Sequence, residues 1–111
     1  MNKHHEDCFH LGVKALLLNP DGKVLLLKRH HPVKGIYWDI PGGRLQKGES
    51  QMETLLREIK EETGLNHVYE IHPFMMALTN IRIPTLEGDA GLIFSIFLIK
   101  LSESFNPYFE R

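Results

Sequence analysis

Cysteine is almost missing from this chain. Cys8 is the only one in 111 residues, which excludes an intramolecular disulfide and any cysteine-built zinc knuckle. A lone cysteine reads as a reduced thiol, the state expected in the cytoplasm. Long apolar runs are missing too: LIFSIFLI is the longest, far too short for a membrane-spanning helix. The N-terminal MNKHHEDCFH has no apolar stretch of the kind a signal peptide carries. Nor is there an excess of charge of one sign. Thirteen Lys and Arg stand against 14 Asp and Glu, net −1, which argues against a chain held to a nucleic acid polymer or an anionic membrane by bulk charge. Repeats, low-complexity tracts and linkers are absent, so residues 1–111 read as one cytoplasmic domain.

What is present is a series of short apolar runs punctuated by turn residues. FHLGVKALLL (9–18) and KVLLLKR (23–29) flank NPDG, a turn sequence, and together predict a hairpin. IYWDI (36–40) reads as a short strand ended by Pro41, Gly42 and Gly43. HVYEIH and FMMALTN supply strand material interrupted at Pro73, IRIPTLEGDAG reads as a polar loop, and LIFSIFLIKL (92–101) as a buried strand. The one helix is well marked. Ser50 sits three residues before Glu53, the spacing of a capping box, and Gly64 is placed to stop the helix. Met52, Leu55, Leu56 and Ile59 recur as an apolar stripe between them. The order β-β-β-α-β-β predicts an α/β domain with a mixed sheet.

Within that helix, REIKEETG (57–64) sets Glu58, Glu61 and Glu62 within about one turn of each other, near the end the helix dipole already makes negative. A solvated charged face, with Arg57 and Lys60 as local partners and Glu53 four residues before Arg57, is one reading. The other is a cation site. Clustered carboxylates behind a Gly-Gly turn, whose carbonyls nothing shields, are oxygen ligands for a hard divalent ion such as Mg²⁺ or Mn²⁺.

From Gly43 to Leu65, GRLQKGESQMETLLREIKEETGL resembles the Nudix box, G-x5-E-x7-R-E-U-x-E-E-x-G-U with U a bulky aliphatic. Every specified position matches: Gly43, Glu49, Arg57, Glu58, Ile59, Glu61, Glu62, Gly64 and Leu65. Average residue usage puts such a match on the order of once in 10⁹ starting positions. LLLNPDGKVLLLKR and YWDIPGG also resemble the usual lead-in to the box in MutT-like members, so the resemblance extends over residues 9 to about 101.

The resemblance implies the Nudix fold, an α/β/α sandwich around a mixed β-sheet. It implies hydrolysis of a nucleoside diphosphate linked to a further group X, with Mg²⁺ or Mn²⁺ as cofactor and a small nucleotide as partner. Carried onto this chain, Glu58, Glu61 and Glu62 are the metal-binding carboxylates, with the carbonyl of Gly43 or Gly42 as a further ligand. Arg57 orients the glutamates, chiefly through Glu49, which alternatively reaches a second metal. A water that loses its proton to Glu58 or Glu61 attacks in line and expels a phosphate leaving group; both glutamates stand as that base. Arg29, Arg44 and Tyr37 are the candidate substrate contacts, Arg29 toward phosphate and Tyr37 toward a base, while Trp38 and Phe74 read as core. The paired histidines, His4-His5 and His30-His31, lack partners at zinc spacing and read as surface residues.

Two departures accompany the match. No helical pattern follows Leu101, so the C-terminal helix of the family is missing from the sequence pattern; a short member, completion by a homodimer and a fragment all fit that ending. Glu110, and less so Glu103, are the candidates for the late acidic residue some relatives use. Downstream of the box, Asn80, Arg82 and Ile83 fall where substrate subtypes carry their marks, with Pro84 a few residues late, and none of them selects a substrate. The alternatives to a MutT-like enzyme are a hydrolase of ADP-ribose, a nucleotide sugar or a dinucleoside polyphosphate, and a nucleotide-sensing module that does not cleave.

Overall fold

The computed structural model describes residues 6–66, 68 and 70–102. Eight strands and helices follow in the order β1 (Phe9–Leu18), β2 (Leu27–His31), β3 (Gly35–Asp39), β4 (Gly42–Arg44), α1 (Gln51–Thr63), β5 (Glu70–Leu78), β6 (Ile83–Thr85) and β7 (Gly88–Lys100). The main sheet runs β4-β1-β7-β5, with β6 also paired to β7; β2 and β3 form a separate two-stranded ribbon. It is mixed: β1 and β7 are parallel over ten residue pairs, from Phe9↔Gly91 to Leu18↔Lys100, and the remaining pairings are antiparallel.

α1 covers one face of this sheet. Leu55 and Ile59 from the helix pack with Val13, Ala15 and Leu17 of β1 and Phe97 and Ile99 of β7. Side chains two apart along each strand point the same way, which is why the odd-numbered residues of β1 and β7 form this layer. The helix ends are as the sequence predicts. Ser50 Oγ accepts from Glu53 N at 3.1 Å while Glu53 Oε1 accepts from Ser50 N at 2.9 Å, and Gly64 closes the helix at φ 81°. The stripe is rotated from its predicted centre: Thr54 joins Leu55 and Ile59 in the interior, while Met52 and Leu56 are each 39% exposed at its margin.

Four strand predictions are corrected. Residues 23–29 do not continue as one strand against β1. After the Leu18↔Val24 bridge and the Leu25 N to Leu17 O bond, the chain departs at Leu27 to pair with β3. The strand read at 36–40 does end ahead of Pro41, as β3 stops at Asp39, but Gly42 and Gly43 then open β4, antiparallel to Val13 and Lys14. Pro73 lies inside β5, tolerated because the register shifts between Pro73 and Met75 on an edge strand. The loop predicted at 81–91 contains β6 and the start of β7, a hairpin with Thr85 opposite Gly88. Among the described residues no helix is long and apolar enough to cross a membrane.

Candidate functional site

β4 is the floor of the site. Gly43 stands so close to α1 that a Cβ there would lie 2.6 Å from both Cδ and Oε2 of Glu58; glycine is what lets this carboxyl group lie directly over the strand. Beside it Glu62 Oε1 accepts from Gly42 N at 2.8 Å, so two glutamates one turn apart are laid onto adjacent glycines.

Arg57 is the hub that holds the others. Its Nε and Nη2 donate to the two oxygens of Glu49 at 2.8 and 2.9 Å, a bidentate pair. Its Nη1 donates to Glu58 Oε1 at 2.8 Å and to Glu61 Oε1 at 3.3 Å. Glu49 also accepts from Thr54 Oγ1 at 2.9 Å. The sequence offered Glu53 as a partner for Arg57, but Glu53 is committed to the helix cap. The Arg57 hydrogen bonds, with help from Thr54, hold the Glu49 carboxyl below its ordinary range. Those with Glu49 above all, then Glu61 and Glu58, raise the Arg57 guanidinium against some desolvation. Glu58 goes the other way. Burial against the strand raises its pKa, and the charges of Glu62 and Glu61 add to the rise while Arg57 opposes it.

Arg29 crosses from β2 to this cluster, with Nη2 2.9 Å from Glu62 Oε2 and Nε donating to Asp39 Oδ2 at 3.1 Å. Asp39 Oδ2 also accepts from Lys14 Nζ at 3.0 Å. Burial works against charge on Asp39, but Lys14 and Arg29 outweigh it and lower its pKa. Burial likewise works against the Arg29 cation, and Glu62 and then Asp39 reverse that. An open cleft of ≈ 410 Å³ adjoins the pair, lined by Lys28, Arg29, His30, Tyr37 and Glu62.

Thus Glu49, Arg57, Glu58, Glu61, Glu62 and Gly43 come together, and Arg29 and Tyr37 share the neighbouring cleft. Arg44 is exposed on β4 and is not among the residues lining that cleft. Trp38 is 61% exposed on the ribbon and Phe74 54% exposed on β5, so neither is core; each belongs to a strand with an uncovered face. Glu103, Glu110, His4 and His5 lie outside the described residues. Asp39 and Lys14 were not singled out from the sequence; the one available signal was an acidic residue set among apolar ones in YWDIPGG.

The donor set fits a hard divalent cation: carboxylates on one helix flank, one of them held half-buried at an electrostatic cost, and a glycine strand without side chains. As placed, however, no three Asp, Glu, His or Cys groups among the described residues are gathered closely enough to hold a metal ion.

The NUDIX domain model matches residues 9–106, and the chain belongs to that family. It is 44% identical over 77 residues to the uncharacterized Nudix hydrolase YvcI of Bacillus subtilis, a match covering 69% of this chain and 44% of that protein. It is 48% identical over 50 residues to an ADP-ribose pyrophosphatase of Methanocaldococcus jannaschii, covering 44% of this chain and 29% of that one. The matches thus span less than half the length of these curated relatives. Among solved structures, the MutT protein of Methanosarcina mazei Go1 superposes with a TM-score of 0.61 at 27% identity over 91% of this chain and 70% of that one. The NUDIX domain of Shewanella oneidensis NrtR, solved with ADP ribose, superposes with a TM-score of 0.66 at 27% identity over 95% and 68%. The mixed sheet with its helix is the sandwich of the MutT and Nudix structures.

Proposed function

We propose that this chain is a cytoplasmic, Mg²⁺- or Mn²⁺-dependent Nudix hydrolase that cleaves the phosphoric anhydride of a nucleoside diphosphate linked to a further group, MutT-like in general type. The observation that carries this is the Arg57 hub: one guanidinium orders Glu49, Glu58 and Glu61 beside a bare glycine strand, next to a cleft with a basic wall. Glu58, Glu61 and Glu62, with the Gly43 carbonyl and Glu49, are the residues to hold the cation. When bound it draws charge from the phosphates and makes phosphorus more electrophilic. Arg57 fixes the carboxylates in place. Glu58, whose proton affinity is raised by burial, is suited to take the proton of the attacking water, with Glu61 as the second candidate. Arg29 and Tyr37 face the cleft where phosphate and base are received.

ADP-ribose is favoured as an alternative substrate, or as a ligand sensed without cleavage, by the ADP-ribose pyrophosphatase relative and the NrtR domain solved with ADP ribose. A hydrolysis panel with Mg²⁺ and with Mn²⁺ tests both, products identified, over unmodified and oxidised nucleoside triphosphates, ADP-ribose, nucleotide sugars and dinucleoside polyphosphates. Turnover of one substrate class by the wild type is expected. Glu61→Gln and Glu58→Gln should each cut it by about 10²-fold or more with binding largely retained. Tight binding of ADP-ribose without products would replace the enzyme with the sensing module, and full activity in both variants would refute the catalytic assignment.

A further inference from the structure

The donors for a hard cation are assembled here, yet as placed no three of them among the described residues are gathered closely enough to hold one. One reason is visible at Glu62. Its Oε1 is taken by Gly42 N and its Oε2 by the guanidinium of Arg29. We propose that Arg29 is the built-in counter-ion of Glu62, displaced when a divalent cation takes that carboxylate and thereby turned toward phosphates in the adjoining cleft. This rests on the metal-dependent reading above.

The geometry suits an exchange. Arg29 bridges two carboxylates on different elements, Asp39 at the end of β3 and Glu62 on α1. A flat, forked guanidinium can keep one of these bonds through Nε while Nη2 lets go of the other. Asp39 is equipped to remain the anchor, because Lys14 Nζ and the Ile40 N–H also bind it, at 3.0 and 2.8 Å. A divalent ion on Glu62 supplies the charge Arg29 gave up and repels the guanidinium at short range. Arg29 already lines the cleft with Lys28, His30 and Tyr37, so Nη2 released from Glu62 borders the space a phosphate would enter. Cation and phosphate would then bind cooperatively through one side chain, each favouring the other. In the cation-free protein the same pair ties the β2–β3 ribbon to α1 and limits repulsion among the glutamates.

The test is Mn²⁺ binding without nucleotide, by calorimetry or electron paramagnetic resonance. Arg29→Gln should bind Mn²⁺ about five-fold more tightly than wild type, the order of effect expected for losing one competing ion pair. Lys60→Gln removes the same charge from exposed α1 surface and should change affinity less than about two-fold. In wild type, the Arg29 Nε–H resonance should move on adding Mg²⁺. Equal or weaker binding by Arg29→Gln, an equal gain in Lys60→Gln, or an unmoved Arg29 resonance with Mg²⁺ bound would each overturn the exchange. The wild-type resonance decides the matter even where Arg29→Gln folds poorly. A wild type that binds no Mn²⁺ overturns the metal-dependent reading itself, and this inference with it.

Discussion

Glu58, proposed above as ligand and base, also bears on the stability of the fold. Its pKa is raised above 4.5, first by burial and then by Glu62 and Glu61. Below 4.5 the carboxyl is protonated in folded and unfolded chains alike, and the raised value has no consequence. As pH rises from 4.5 through the folded value, the unfolded chain releases its proton first, so native stability falls and stays lower above both values. Glu58→Gln is therefore expected to raise the melting temperature at pH 7 while cutting turnover by about 10²-fold or more, with a gain that shrinks toward zero below pH 4.5. A melting point at pH 7 equal to or below wild type contradicts this. The two glycines beneath it part ways in the same manner. The three atoms nearest a Cβ on Gly43 all belong to the end of the Glu58 side chain, which can swing aside. Gly42, at φ 153°, would drive its Cβ to 2.2 Å from the Val13 carbonyl oxygen. Gly43→Ala should fold with a nearly unchanged melting curve and lose most activity, whereas Gly42→Ala should lose about 2 kcal/mol or more of stability. Comparable melting curves for the two would refute this account of the strand.

At the scale of elements, legibility in the sequence followed whether a signal is local. The helix was readable to the residue, because capping box and stop glycine are written within three or four positions of the ends they set. Ser50→Ala should cost about 1 kcal/mol, measurable by urea unfolding, with the Glu53 N–H losing its hydroxyl acceptor; no loss would mean that tertiary packing alone sets the helix start. The strands were less legible, since their partners lie far along the chain. KVLLLKR looks uniform, yet its first half bridges β1 and its last residues pair with β3. Nothing local tells Leu26 from Leu27. Pro73 and Pro84 signalled breaks, but each sits on a strand that flanks β7, where a missing N–H is tolerated. The site followed the same rule. The glutamates and Arg57 share one helix and its approach and could be read directly, while Asp39 and Lys14 join Arg29 only because three separate strands, β3, β1 and β2, come together.

For the whole molecule, the parallel contact between β1 and β7 decides the layout. It brings the two ends of the sequence pattern together and leaves α1 over one face, with the glutamate cluster at the β4 side of the helix. Phe74, Met75, Met76 and Leu78 remain exposed on the opposite edge strand, β5. Repulsion is thus concentrated in one corner of the fold, where Glu49, Glu58, Glu61 and Glu62 share the guanidiniums of Arg57 and Arg29. An ion that binds this corner only when it is folded must stabilise the entire chain, in proportion to the logarithm of its concentration above the dissociation constant. At ten times that constant the gain is about 1.4 kcal/mol, which for a domain of this size raises the melting temperature by several degrees. Millimolar Mg²⁺ or Mn²⁺ should therefore raise the melting temperature, while sodium chloride at matched ionic strength, which only screens the exposed charges, should do less. The shift should fall sharply in Glu61→Gln, which removes a proposed ligand without disturbing the core. A melting curve indifferent to divalent cation, or a shift that sodium chloride reproduces in full, would mean that the glutamates are a solvated charged face after all.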